Sequence, residues 1–329
     1  MAGDMGIVLL SSSDEVMGSK LWMPQKMRVR GSDRLVRVST DTVVHPDFRR
    51  HSLKLIFKYF KECADPFAMS VSAGGKHARI WLARHGHVVP GAEQRHSVYL
   101  DPAGFLAARW RGRMGRLLAD GVATAAGPIL GAYFGTAWRR HGRGYTVQSV
   151  DPSDERLDDL WNKCRDEHDV TNVRDAAFRE WRYQSWNSRL CLVSTPNGRP
   201  CLFAAYVPFP SQAGEAKRAR ILDLFGKTDS ACAEALAAVL NFLHRSGFAT
   251  SDFNGFSRRW HGHFRALGAR SYPVDANMVY LQGKNAQPRL DSEIDWHVVP
   301  ADGDSGFADL SPDASDSGCD EERIGKEAM

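Results

Sequence analysis

Between Leu35 and Ala64 the chain changes its hydrophobic period once, and that change limits the folds open to it. From Leu35 to Val44 apolar and polar residues alternate, as in a strand. After His45-Pro46 the apolar residues Leu53, Ile56, Phe57, Phe60 and Ala64 return at helical spacing, with Lys54, Lys58 and Lys61 off their face. A strand that passes directly into an amphipathic helix belongs to a sheet covered by helices, the α/β class. The start of such a helix offers unpaired backbone N–H groups and the positive end of its dipole to an anion. Arg49, Arg50 and His51 add charge at that point, and pyrophosphate is a natural ligand for it. A basic surface turn with no ligand fits the same residues.

The rest of the chain repeats mixed α/β texture on both sides of an unusual middle. Ile7 to Leu10, Leu21 to Val29 and the alternating Phe67, Met69 and Val71 read as strands, and Ala78 to His85 as a short helix that Gly86 ends. Residues 104–144 hold seven arginines against the single Asp120 around an apolar, small-residue stretch from Leu117 to Trp138. Asp120, Pro128 and four glycines argue against a membrane span, which needs about 20 predominantly apolar residues. A helix pair between two domains and a membrane-surface helix with an arginine fringe both suit this composition. Beyond it, Leu157 to Cys164 and Ala176 to Tyr183 read as helices. Leu190 to Ser194 and Cys201 to Val207 read as a hairpin about Pro196-Asn197-Gly198. Ile221 to Phe225 is a buried strand, Ser230 to Arg245 a helix stopped at Gly247, and Thr250 to Asn254, Arg258 to Leu267 and Met278 to Leu281 a strand, a helix and a strand. The expected organisation is 1–103, a first folded half; 104–144, an arginine-rich helical connector; 145–300, a second half; and 301–329, a disordered tail.

Charge and cysteines narrow the setting. The tail holds nine acidic residues against Arg323 and Lys326, which leaves the other 300 residues at about +11 although the whole chain is only +4. A basic body suits nucleic acid, an anionic membrane or a phosphorylated ligand. The six cysteines form no C-x-x-C pair and no cluster with histidine, so neither a disulfide framework nor a zinc site is expected. Met1 to Leu10 has no basic start and no apolar run of leader length. A cytoplasmic protein with reduced thiols is the expectation.

The run Val43-Val44-His45-Pro46-Asp47-Phe48-Arg49-Arg50 resembles the signature of the GNAT superfamily of acyl-CoA-dependent N-acyltransferases, in which the fourth strand ends in V-x-P-x-[FY]-R and an R-x-x-G-x-[GA] turn cradles the coenzyme A pyrophosphate. Arg49 stands at the Arg position, while Ser52 and Lys54 stand where the family has glycine and a small residue. The resemblance extends over most of the chain, whose layout is similar to proteins with two GNAT-like halves, the Fem-type and polysaccharide-associated ones among them. Ala78 to His87 sits at the family's fourth helix, Val173 to Tyr183 at its early helical region, and Arg258 to Ala269 at its late helix. This implies two mixed sheets flanked by helices, the first without the strand and two helices that usually open the fold. Either the chain is truncated or the second half supplies that wall.

What the resemblance implies for chemistry is transfer of an acyl group, most simply acetyl from acetyl-CoA, to a small-molecule or glycan amine, with no metal. Val43, Val44, Arg49, Arg50, His51, Ser52 and Leu53 would bind the coenzyme. Asp41 falls where family members often carry the carboxylate that drains the amine proton, although an Asp capping the neighbouring backbone is the plainer account. The family's thiolate-protonating Tyr falls at Leu82, so His85 and His77 are substitutes, with a surface histidine as the plainer account of each. A non-catalytic scaffold of the same fold and a Fem-type aminoacyl transferase using charged transfer RNA remain alternatives; the +11 body suits the latter, though nucleic acid is not the expected partner. Gly226-Lys227-Thr228 is not a phosphate loop, because Ile221 stands where a glycine is needed. His244, His261 and His263 lack a carboxylate or Cys at ligand spacing. Trp181, Tyr183 and Trp186 with Arg179, Arg182 and Arg189 fit a helix end packing into a core better than a stacking surface.

Overall fold

Alternating residues make β1 (Gly6–Leu10), β2 (Val16–Val29) and β3 (Ser32–Val44) an antiparallel meander. The turn between β2 and β3 sets Arg30 at φ 46° and Gly31 at φ 77°, the left-handed pair of a tight hairpin. The computed structural model describes residues 5–302 apart from 65, 72, 74, 134–136, 185–186, 210–215, 228–229, 255–256, 275–277, 291–292 and 300–301. The acidic segment beyond Asp302, Trp186 and Thr228 lie outside the described residues.

A 3₁₀ helix, Pro46–His51, leads into α1 (Ser52–Cys63), which buries Leu55, Ile56, Tyr59 and Phe60. After that helical crossover β4 (Ala68–Ser70) returns parallel to β3. Then come α2 (Gly75–Leu82), β5 (His87–Val88) and β6 (Gln94–Tyr99). Asp101 starts α3 (Pro102–Met114) by accepting the Gly104 amide at 3.0 Å, and α4 (Arg116–Tyr133) folds back on α3. The chain continues through β7 (Thr146–Val150), α5 (Glu155–Cys164), β8 (Val170–Asn172), α6 (Ala176–Gln184), β9 (Arg189–Ser194) and β10 (Pro200–Phe209). It ends with β11 (Arg218–Gly226), α7 (Ser230–Arg245), β12 (Thr250–Phe253), α8 (Arg258–Ala266), β13 (Arg270–Pro273), β14 (Val279–Leu281) and β15 (Trp296–His297).

These strands form two mixed sheets. The first has the order β15-β8-β2-β3-β4-β14-β5, with β1 on the other stretch of the β2 edge, and the second the order β13-β6-β12-β11-β10-β9-β7. The first sheet takes β8, β14 and β15 from beyond residue 145, and the second takes β6 from before residue 103. In the first, β14 lies between β4 and β5 and antiparallel to both; in the second, β6 holds the same place between β12 and β13. The borrowed strands cross the expected boundaries at 103 and 145, so each sheet is completed by residues from the other side of the connector.

The borrowing is matched by packing. Around the second sheet Leu236, Val239, Leu240 and Leu243 of α7 and Trp260 and Phe264 of α8 are buried with the strand residues Leu202, Phe203, Ile221 and Phe253. Two smaller clusters cover the two faces of the first sheet, Met27, Val36, Val38, Phe67 and Trp296 on one and Trp22, Ile56, Tyr59, Phe60 and Trp81 on the other. Asp302 corrects the expected start of the tail at 301, because it is buried, ion-paired to Arg174 at 3.2 Å, and bonded through its carbonyl to Gln25 Nε2 at 2.7 Å.

Candidate functional site

In the first sheet β3 and β4 are hydrogen-bonded in parallel from Arg37–Ala68 to Ser39–Ser70, and there the pairing ends. Immediately beyond, the β2–β3 register slips: Trp22 faces Ser39 and Lys20 faces Thr42, so Thr40 and Asp41 together oppose Leu21. Such a bulge bends its strand and turns backbone groups out of the ladder. The parting strands and the helices α1 and α2 enclose a cavity of about 30 Å³, lined by Lys20, Ser39, Thr40, Thr42 and Ser70 on the strand side and by Ile56, Tyr59, His77 and Trp81 on the helix side. Tyr59 pins the apex, its hydroxyl donating to the carbonyls of Arg37 at 2.6 Å and Met69 at 3.3 Å, one from each parting strand.

Lys20 is the unexpected member of this site. Its side chain is buried, and Nζ donates to Ser39 Oγ at 2.6 Å and to the Thr40 carbonyl at 2.9 Å, 5.3 Å from the Tyr59 ring centre. Two of the three ammonium donors are thus engaged among the described residues. Burial pulls the Lys20 ammonium down to about 8, against the opposing pull of Asp41. Burial and the Lys20 charge hold His77 below its ordinary value. Lysine at the start of an apolar run normally lies in water, so nothing in local pattern separates Lys20 from Lys26, which is exposed on the same strand.

The residues read from sequence fall in three places. Asp41 is exposed on the bulge, within electrostatic reach of Lys20. Val43 and Val44 close β3, and Arg49, Arg50, His51, Ser52 and Leu53 follow in the turn, with both arginines exposed. That turn differs from the expected open helix start. It is a 3₁₀ helix continuous with α1, in which the Phe48 amide donates to the His45 carbonyl at 2.9 Å, the Ser52 amide to the Arg49 carbonyl, and the Asp47 amide to His45 Nδ1. The Ser52 amide is therefore internal to a helical run, and the exposed guanidinium groups are the turn's strongest anion donors. Arg50 Nε donates to His51 Nε2 at 3.2 Å, and burial with the Lys54 and Arg50 charges holds the His51 imidazole below its ordinary value. His85 is not brought to Asp41; it is exposed on the turn after α2, at φ 62°, and does not line the cavity.

The second sheet repeats the local geometry with different contents. Its parallel pair β11–β12 ends at Ile221–Phe253, and the β10–β11 register slips directly afterwards, Tyr206 facing Ile221 and Ala205 facing Asp223. Asp223 and Asp41 thus stand two residues beyond the last parallel rung of their sheets. Asp223 is sealed: Arg174 Nε donates to its Oδ2 at 2.7 Å, Tyr183 Oη donates to the same oxygen at 2.5 Å, and His297 Nε2 lies 3.9 Å from Oδ1. Arg174 also reaches Thr171 Oγ1 at 2.8 Å, the Asn172 carbonyl at 2.7 Å and Asp302. Burial raises the Tyr183 phenol and lowers the His297 imidazole far from their ordinary values, so both are neutral at pH 7. A lone acid inside Ile221-Leu222-Asp223-Leu224-Phe225 is the sequence signal that could have found this cluster. Arg179 and Tyr183 are buried with it and Trp181 is exposed, as a helix end packed on a core requires. His261 meets the His96 ring at 4.6 Å while His244 packs on Trp138, and among the described residues no group of His, Cys, Asp or Glu could hold a metal ion.

No protein-family model and no curated protein matches the chain by sequence. Solved structures do. A conserved protein of unknown function from Enterococcus faecalis V583, described as a probable N-acyltransferase, superposes with a TM-score of 0.54 at 12% identity over 84% of this chain and 60% of that one. A GCN5-related N-acetyltransferase from Anabaena variabilis superposes with a TM-score of 0.53 at 11% identity over 83% of this chain and 61% of that one. The chain spans about three fifths of the length of either protein. Two sheets, each with a parallel pair that parts at a bulge and a borrowed strand beyond it, and this likeness across more than four fifths of the chain give it the fold of the GCN5-related N-acetyltransferase (GNAT) superfamily.

Proposed function

We propose that the chain transfers an acyl group from an acyl-CoA to an amine in the cleft of the first sheet. The observation that carries this reading is the apex between β3 and β4, where a bulged backbone and the buried Lys20 ammonium line a small cavity and Asp41, exposed on the bulge, lies within electrostatic reach of that ammonium. Acyl transfer needs a base for the amine, a donor for the thioester oxygen and an acid for the departing sulfur. Asp41 takes the proton from the amine as its nitrogen bonds to the thioester carbon, and the bulge backbone polarises the carbonyl. As the C–S bond breaks, Lys20 gives the sulfur a proton. An ammonium held near 8 suits that task at neutral pH better than one at its ordinary value. Arg49 and Arg50 hold the pyrophosphate. A cavity of about 30 Å³ favours a short acyl group such as acetyl over a long chain, and the acceptor is read as a small-molecule amine, a sugar amine included.

A second reading has its own observation. The Phe48 and Ser52 amides are bonded within the turn, and Ser52 and Lys54 replace the small residues that let a phosphate approach backbone, which favours a scaffold of this fold that binds no coenzyme. Calorimetric titration with acetyl-CoA and with free CoA separates the two. Binding of both by the natural chain, weakened about tenfold and made less salt-dependent in Arg49→Ala/Arg50→Ala, is the expected result, since charge-assisted bonds to phosphate are lost. Absence of heat with either ligand leaves the scaffold, and unchanged affinity in the double variant moves the coenzyme away from this turn.

A further inference from the structure

We propose that the α3–α4 hairpin docks the protein on an anionic lipid surface, with α4 lying in the interface plane. From Leu117 to Tyr133 the sequence contains one charge, Asp120, and Arg111 at 3.0 Å and Arg116 at 3.8 Å engage it. The buried side of α4 is made by Ala119 and Ala123, small residues that let α3 approach closely. On the other side Leu117 is 89% exposed, Ile129 74%, Tyr133 67% and Leu118 66%, with Val122 exposed among them. Only glycine, alanine and proline fill the gaps. At about 100° of turn per residue, these side chains fall within an arc of roughly 160° to which α4 contributes no charge, and at its Tyr133 end the Arg270 guanidinium lies 4.4 Å from the ring centre, adding a further cation.

Single exposed leucines are ordinary on protein surfaces, but contiguous ones on one helix mark a surface that meets something apolar. The charges around this face identify the partner. Arg109, Arg113 and Arg116 lie before it and Arg139, Arg140 and Arg143 after it, all exposed, and the hairpin has no acid besides the engaged Asp120. An uncharged face with cations at both ends complements an apolar layer beneath anionic headgroups, whereas a protein partner would have to answer both rows of arginine with acids of its own. No described helix is long and apolar enough to cross a membrane, so the helix lies on the bilayer. This inference does not depend on the acyl-transfer reading.

The test is sedimentation of the full chain with vesicles of phosphatidylcholine mixed with phosphatidylglycerol and with vesicles of phosphatidylcholine alone. Binding to the mixed vesicles, much stronger than to the neutral ones, is expected. Leu118→Asp/Ile129→Asp should lower the partition coefficient by at least about tenfold, since the two carboxylates together oppose insertion by more than about 1.4 kcal/mol. Its melting temperature should not change, because both side chains are exposed. Replacing Arg109, Arg113, Arg140 and Arg143 by Gln should remove the preference for phosphatidylglycerol. No binding to either vesicle overturns the proposal, as does undiminished binding of the Asp variant. So does self-association without lipid, seen by sedimentation velocity and abolished in the Asp variant, which would make the face an interface between copies.

Discussion

The parallel pairs β3–β4 and β11–β12 part at equivalent rungs, carry equivalent bulges and place an Asp two residues further on, yet one ends in a cavity and the other in a closed ion network. In the first, α1 supplies Ile56 and Tyr59, the neighbouring strand supplies Lys20, and Asp41 reaches solvent. In the second, α6 supplies Tyr183, the segment after β8 supplies Arg174, and the end of the described chain lays Asp302 against that guanidinium. The same backbone device therefore has two uses. Left open, the parting strands leave a small cavity; filled with paired charge, they fasten the two sheets and the C-terminal segment together, since Arg174 pairs with both Asp223 and Asp302 and Gln25 of β2 bonds both Asn172 and Asp302.

The sharpest way to break this comparison is to remove the central cation. Arg174→Met leaves Asp223 and Asp302 buried without their partner, and removing one member of a buried ion pair costs about 3–5 kcal/mol. Chemical denaturation should show a loss of that size. A loss under about 1 kcal/mol would mean the cluster is not what holds the second cleft shut.

The next prediction weighs the two clefts as chemistry. Asp41→Asn should lower the rate of acyl transfer by about 10²- to 10⁴-fold while coenzyme binding stays near that of the natural chain, the mark of a lost general base. Lys227→Ala, on an exposed residue just past β11, should leave the rate unchanged. Steady-state kinetics with an acylated amine decide it; activity that survives Asp41→Asn and fails with Lys227→Ala would move the working site to the second sheet.

Long elements were legible because their period is a local property: β2, β3, α1, α7 and the β9–β10 hairpin, with Gly198 at φ 76°, fall where alternation, amphipathy and turn residues put them. Of the short strands, β1, β4, β12 and β14 also fall where apolar runs put them, whereas β5, β6, β7, β8, β13 and β15 were not legible. Gln94–Tyr99 reads Q-R-H-S-V-Y, mostly polar, and becomes strand only because β12 and β13, more than 150 residues away, flank it on both sides. Long-range pairing of this kind leaves no local signal, so the exchange of β6 and β14 could not be read. At the site, Asp41 and the basic turn stand out by position in a strand-to-helix run. Lys20 and Arg174 do not, because each is defined by what surrounds it after folding. The bonded amides of the 3₁₀ turn are likewise a matter of a few backbone angles that H-P-D-F-R-R does not fix.

The smallest effect sharpens the open cleft by trading stability against rate at one residue. An ammonium held at about 8 in the folded protein, against an ordinary 10.5, makes burial of that charge unfavourable at neutral pH by about 3 kcal/mol. Its bonds to Ser39 and Thr40 return only part of this. Lys20→Met should therefore stabilise the fold by about 1–2 kcal/mol in denaturant at pH 7. Between about pH 8 and 10.5 the folded protein binds fewer protons here than the unfolded chain, so this site's contribution to stability rises with pH across that window; the variant should lack the rise. If Lys20 also protonates the departing sulfur, transfer in the natural chain should fall on an alkaline limb near pH 8. In Lys20→Met the limb should vanish and the neutral-pH rate should drop by about 10²-fold. A variant that gains stability but keeps both rate and alkaline limb would leave Lys20 as a buried charge with no part in the chemistry, and the acid would have to be sought at His77, on the opposite wall of the same cavity.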